Sequence, residues 1–146
     1  MSQYFDMGDE TLWNPSNGAS RLFLRQLAVF EAELGLSSGI GPMESDECQI
    51  ERDSFELFVN ALLARHRRTS HGIVLALSEG FIATVLVLAE RAGITVDWAL
   101  LGATPDGALQ DVQVSTLTGM STPPEGETWA SRLQERSWEL GRFMAR

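Results

Sequence analysis

The chain has 146 residues, of which 20 are acidic and 11 basic, giving a formal charge of −9, and 44% are hydrophobic. That length and composition fit one globular domain that buries its own core without disulfide or metal staples. The charge repels phosphate backbones and anionic lipid, so nucleic acid and membranes are poor partners, whereas a basic protein would be attracted.

Residues 3–13 alternate weakly between apolar and polar, and Met7-Gly8-Asp9-Glu10 supplies a turn. This predicts a hairpin with strands at Gln3–Asp6 and Glu10–Trp13. Asn14-Pro15-Ser16-Asn17-Gly18 then breaks the chain, and Ser16 or Asn17 can cap a helix beginning there. From Ala19 to Leu34, Phe23, Leu27, Phe30 and Leu34 recur at helical spacing, Arg21, Arg25, Glu31 and Glu33 fall on the remaining surface, and Gly35 offers a left-handed stop. Residues 35–52 read as a loop in which Cys48-Gln49-Ile50 forms a brief strand joining the hairpin. Asp53-Ser54-Phe55-Glu56 has capping-box spacing, which predicts a second helix running to about His66, with a basic last turn suited to the helix dipole. Thr69-Ser70 is the expected cap of a third helix reaching Ala92 and stopping at Gly93. Its apolar positions cover most of its circumference, as in a central, buried helix. Ile94–Trp98 alternates like a strand. Residues 102–126 are rich in Gly, Thr, Ser, Pro and Asp and read as a flexible loop or linker, with an edge strand available at Asp111–Leu117. Helical character returns from Glu127 to Met144. The organisation expected is a helical α+β core over residues 1–101, the linker, and a C-terminal helix over 127–146.

Several chemistries are excluded by residue type. Every basic residue is arginine, so no lysine Schiff base, P-loop lysine or Ser-Lys dyad can form. Cys48 is the single cysteine, which rules out an intramolecular disulfide. No basic start followed by an apolar run marks a signal peptide, so a cytoplasmic location is expected. The apolar run Ile73–Ala89 is broken by Ser78-Glu79-Gly80 and is read as a core helix, not a membrane span. No glycine-rich phosphate loop, Gly-x-Ser-x-Gly elbow, His-Glu-x-x-His helix or Cys-x-x-Cys pair occurs.

What remains are weak candidates, each with a simpler structural reading beside it. Asp46, Glu47 and Cys48, with His71, could hold a divalent metal, but the acidic run is more simply a solvated face and lacks EF-hand spacing. Cys48 with His71 would be the minimal nucleophile and base of a thiol enzyme, against the simpler pair of a small buried thiol and a cap histidine. Arg65-His66-Arg67-Arg68 could grip a phosphate or an acidic partner, but is fully explained by its place at a helix end. Glu79, inside an apolar helix, must be paired with an arginine or face a cavity, and in the second case is the first choice for a functional carboxylate. Trp13-Asn14 and the turn after it form either a helix cap with a hydrophobic staple or a recognition loop that binds a ligand.

Tyr4-Phe5-Asp6, Leu12-Trp13-Asn14-Pro15-Ser16-Asn17-Gly18, Gly39-Ile40-Gly41-Pro42-Met43, Asp46-Glu47-Cys48-Gln49-Ile50 and Ser78-Glu79-Gly80-Phe81 resemble a family of short bacterial proteins from high-GC actinobacteria, a domain of unknown function. The resemblance covers about the first two thirds of the chain and implies no activity and no catalytic residues. Taken together, the elements predict a helix-dominated α+β fold, with three central helices, a small N-terminal β element and a C-terminal helix. Its expected role is that of a non-catalytic adaptor or immunity-like partner for a basic protein, with no cofactor. The alternatives are a small-ligand or metal-binding protein, conceivably an enzyme, built around Glu79 and His71, and a homo-oligomer formed through the C-terminal helix.

Overall fold

The computed structural model describes residues 2–96 and 129–146. The chain opens with strands β1 (Tyr4–Met7) and β2 (Glu10–Trp13), paired antiparallel around Gly8, whose φ of 63° suits the tight turn. The Thr11 hydroxyl donates to the Asp6 carboxylate across this pair at 2.7 Å. Strand β3 (Glu47–Gln49) adds to the other edge of β1 in parallel, setting Cys48 beside Phe5, and the order is β2-β1-β3. Phe5 and Cys48 have no exposed surface, so the buried face of this small sheet is anchored in the core.

Helix α1 (Asn17–Leu34) is capped by Ser16, whose hydroxyl accepts from Ala19 N–H, and ends at Gly35 with φ 62°. Helix α2 (Arg52–Arg68) starts earlier than its capping-box spacing suggests. Glu51 is the cap, and its carboxylate accepts from the N–H groups of Asp53 at 3.0 Å and Ser54 at 2.8 Å. The Ser54 hydroxyl, together with those backbone donors, holds the Glu51 carboxyl below its ordinary pKa. Helix α3 (Gly72–Arg91) is likewise capped by an uncommon residue, not by Thr69-Ser70. His71 Nδ1 accepts from Val74 N–H at 3.4 Å, while the Thr69 hydroxyl accepts from His71 N–H. The end of α3 is held by Arg52, which donates to the carbonyls of Ala92 and Gly93. Ile94–Val96 is not a strand; Ile94 enters the core as irregular chain. The strand expected at 111–117 and the linker at 102–126 lie outside the described residues.

Helix α4 (Trp129–Gly141) packs chiefly against α3 and places Leu133 in the shared core. The fold is therefore α+β and helix-dominated, as expected, and its C-terminal helix belongs to the same hydrophobic cluster as the rest. An aromatic series runs through that cluster. Phe5 stacks on Trp13, Trp13 meets Phe23 edge-on, Phe23 stacks on Phe81, and Phe81 lies parallel to Phe30 with 4.3 Å between centroids. Such pairs add roughly 0.5–1.5 kcal/mol each beyond area burial. Burial in α3 is uneven: Phe81 to Ala89 is buried apart from half-buried Thr84, whereas Ile73, Val74 and Leu77 face outward. By length and composition α3 could cross a membrane, but half of its most apolar window lies inside the fold.

Candidate functional site

Trp13, the centre of the expected recognition loop, is buried between Phe5 and Phe23. Asn14 beside it donates its backbone N–H to the Ala145 carbonyl at 2.9 Å, and its side-chain Oδ1 is buried with no hydrogen-bond partner among the described residues. Trp13 is thus part of the core, and the Asn14 backbone joins the β2 end to the C-terminal segment. Asp46 adopts a left-handed backbone conformation with φ 68°, following Ser45 at 51°, a reversal that Asp tolerates better than most residues. Its carboxylate accepts from the Gln3 side chain and its carbonyl from Tyr4 N–H, so it sets the register of β3 on β1. Glu47 is exposed on β3.

The thiol and the imidazole are separately committed. Cys48 donates its S–H to the Gly41 carbonyl at 3.1 Å, and burial, with a contribution from Asp6, pushes its pKa up to about 11. A thiol so protonated is not a nucleophile at neutral pH. His71 is spent on its helix cap, and neither residue is hydrogen bonded to the other. His66 is the buried histidine. A carbonyl can only accept, so its Nδ1 carries the proton donated to Leu62 O at 2.9 Å, and the ring leans on Phe30. Burial lowers its pKa, with a smaller opposing effect from that hydrogen bond.

Glu79 lies half-buried on α3, where the helix leaves the core, and none of the ion pairs among the described residues includes it. The described residues contain no group of three or more His, Cys, Asp or Glu side chains placed to hold a metal ion. Glu79, His71, Trp13, Asn14, Asp46, Glu47 and Cys48 line none of the described cavities. They are not brought together at one place.

The structure draws attention to other surfaces instead. At the turn joining α2 to α3, Ile73 is 62% and Leu77 78% exposed, with Val74 beside them on the same helical face. The turn is flanked by the basic end of α2, of which Arg65 is paired with Glu33 at 2.9 Å, while Arg67 and Arg68 make no ion pair among the described residues. A cleft of about 790 Å³ lies between the end of α3 and α4, lined in part by Leu86, Glu90, Gln134 and Trp138. A groove of about 540 Å³ runs along α1, lined by Arg21, Arg25, Leu24 and Ala28 with Gln3 and Met43 opposite. The apolar turn escapes the sequence pattern because an all-round apolar helix says nothing about how far its neighbours extend. The groove leaves no distinctive trace either: no acidic residue occurs from Thr11 to Phe30, but none occurs from Leu57 to Ser78.

A family profile described as a family of unknown function, DUF6086, matches residues 1–146. The match thus extends through the last third, where the sequence offered no resemblance. No curated protein and no solved structure matches the chain.

Proposed function

We propose, from the premise that the chain belongs to the DUF6086 family of unknown function, that it acts as a non-catalytic protein-interaction module. The observation that carries this reading is the exposed aliphatic face of Ile73, Val74 and Leu77 at the α2–α3 turn. Three large aliphatic side chains within about one helical turn lose roughly 1.5–3 kcal/mol each when left in water instead of buried, and contiguous patches of this kind mark contact surfaces. Arg67 and Arg68 at the rim add direction, since guanidinium groups pair readily with carboxylates. The net charge of −9 suits a basic partner surface meeting the acidic remainder of the molecule.

The test is affinity capture from native lysate with the full chain and with an Ile73→Ser/Leu77→Ser variant. Because both side chains are already exposed, folding stability should change by no more than about 0.5 kcal/mol. A partner should be recovered at stoichiometric level by the wild type and lost by the variant. Recovery of no stoichiometric partner would sink the reading.

A second reading, self-association through α4 and the segment after it, is favoured by the exposure of Trp138 and Phe143. Light scattering on a Trp138→Ala/Phe143→Ala variant decides it. An oligomer that survives both substitutions rejects that interface.

A further inference from the structure

The outer face of α1 carries a basic pair on this acidic chain, as the end of α2 does. Arg21 and Arg25 are one turn apart, exposed, and in no ion pair or hydrogen bond among the described residues. Six other guanidiniums are occupied: Arg52 and Arg91 hold carbonyls, Arg65, Arg136 and Arg146 meet carboxylates, and Arg142 lies over Trp138, whereas Arg67, Arg68 and Arg132 are, like Arg21 and Arg25, in no ion pair among the described residues. The floor between Arg21 and Arg25 and the opposite wall is apolar, made by Leu24, Ala28 and Met43. On the same helix, outside the groove lining, Leu22 and Val29 are 60% and 59% exposed. The first turn of α1 has no acidic residue, so its positive dipole end is uncompensated and adds to the arginines' field. Gln3 on the opposite wall donates its side-chain amide to the Asp46 carboxylate.

We infer that this groove binds an acidic, amphipathic polypeptide segment of a partner protein, whose carboxylates pair with Arg21 and Arg25 while its apolar side chains cover Leu24, Ala28 and Met43. From Asn17 to Val29 the face is about 18 Å long at 1.5 Å per residue, which matches several turns of a docked helix or a short extended strand. The carboxylates of α1 are Glu31, which accepts from Ser38, and Glu33, which is paired with Arg65, and each guanidinium of the groove offers a fork for bidentate pairing. The inference rests on the interaction-module reading but assigns a surface separate from the α2–α3 turn, and a partner chemistry opposite to the one the net charge suggests.

The experiment pans a random linear peptide library displayed on phage against the full chain, with an Arg21→Glu/Arg25→Glu variant for counter-selection. Selected peptides are then measured by fluorescence anisotropy. Both substitutions are on exposed side chains, and circular dichroism and thermal unfolding check that the variant folds. The expected result is enrichment of peptides carrying Asp or Glu beside Leu, Ile or Phe. Their affinity should fall at least tenfold on the variant and weaken with added salt, with Arg21→Lys/Arg25→Lys between the two. Enrichment of basic or neutral peptides, equal affinity for wild type and variant, or no enrichment each overturns the assignment. So does a wild-type dimer that the variant dissociates, because the occupant would then be a second copy. Peptides that bind both proteins equally overturn the α1 site while leaving the interaction reading standing. Loss of lysate capture on Ile73→Ser/Leu77→Ser supports that reading whatever the peptides do.

Discussion

Cys48 and His66 are two titratable side chains whose protonation is shifted chiefly by burial. With its pKa pushed up to about 11 and its S–H given to Gly41, Cys48 should resist a water-soluble disulfide reagent at pH 8 in the native state and react at once in denaturant. Rapid native labelling would contradict this. His66 confers a pH dependence whose sign comes from its lowered folded pKa. In the unfolded chain the imidazole gains its proton near the ordinary value of 6.5; in the folded chain it does so only at lower pH. The unfolded state therefore binds more protons in that window, so the stabilisation is present above about 6.5 and is lost as pH falls toward the folded value. Urea melts between about pH 7.5 and 5.5 should show the wild type losing stability on acidification. A His66→Phe variant, which keeps a ring against Phe30, should show a smaller slope; equal slopes would reject the assignment.

Helix α1 is almost fully legible in the sequence because everything that defines it is local. Ser16, the Phe23–Leu27–Phe30–Leu34 stripe and Gly35 are read by the chain within one turn of themselves. The starts of α2 and α3 are not legible. Glu51 and His71 are not favoured cap residues, and they serve because nothing else at those positions meets the free N–H groups. The alternating run at Ile94–Trp98 shows the same limit. A strand needs a partner edge, and no described strand pairs with its described part, Ile94–Val96. Gly39 is the element-scale position most sensitive to change. It joins the loop after α1 to the start of α2 at φ +73°, and a Cβ there would lie 2.7 Å from Glu51 O, 2.8 Å from Ser54 Cβ and 2.9 Å from Phe55 N. Gly39→Ala should cost more than about 2 kcal/mol, since strain and collision combine. Gly8→Ala, with φ +63° but open space around it, should cost only about 1 kcal/mol. Similar losses in thermal melts would refute the close approach.

At the scale of the whole molecule, the most informative residue is one that carries no sequence signal. Arg91, in the last turn of α3, donates to the carbonyls of Leu12 at 2.6 Å, Gly141 at 3.1 Å and Met144 at 2.7 Å. These partners are 79, 50 and 53 residues away, so no local pattern could reveal them. The candidate metal and catalytic residues fail to converge for the complementary reason. Residue type is visible in the sequence, but Asp46, Cys48 and His71 are drawn into register, packing and capping. Arg91→Met should lower stability by about 2–3 kcal/mol, as hydrogen bonds from a charged donor are lost and three carbonyls are orphaned. Hydrogen exchange at Asn14 and Met144 should accelerate with it. Arg146→Ala, which removes only the exposed 3.6 Å pair with Glu10, should change stability by less than about 1 kcal/mol and serves as the control.

The Arg91 contacts also impose an order in time. During synthesis Arg91 emerges well before residues 141–144, and until they appear it has only the Leu12 carbonyl among its three acceptors. Over the same interval the side of α3 that receives Leu133 is bare. A nascent chain stalled in that interval presents an apolar helix with an unfilled groove, which is the kind of surface that chaperones engage. Closure of α4 onto α3 is a long-range step, and its rate should depend on how soon α4 can return.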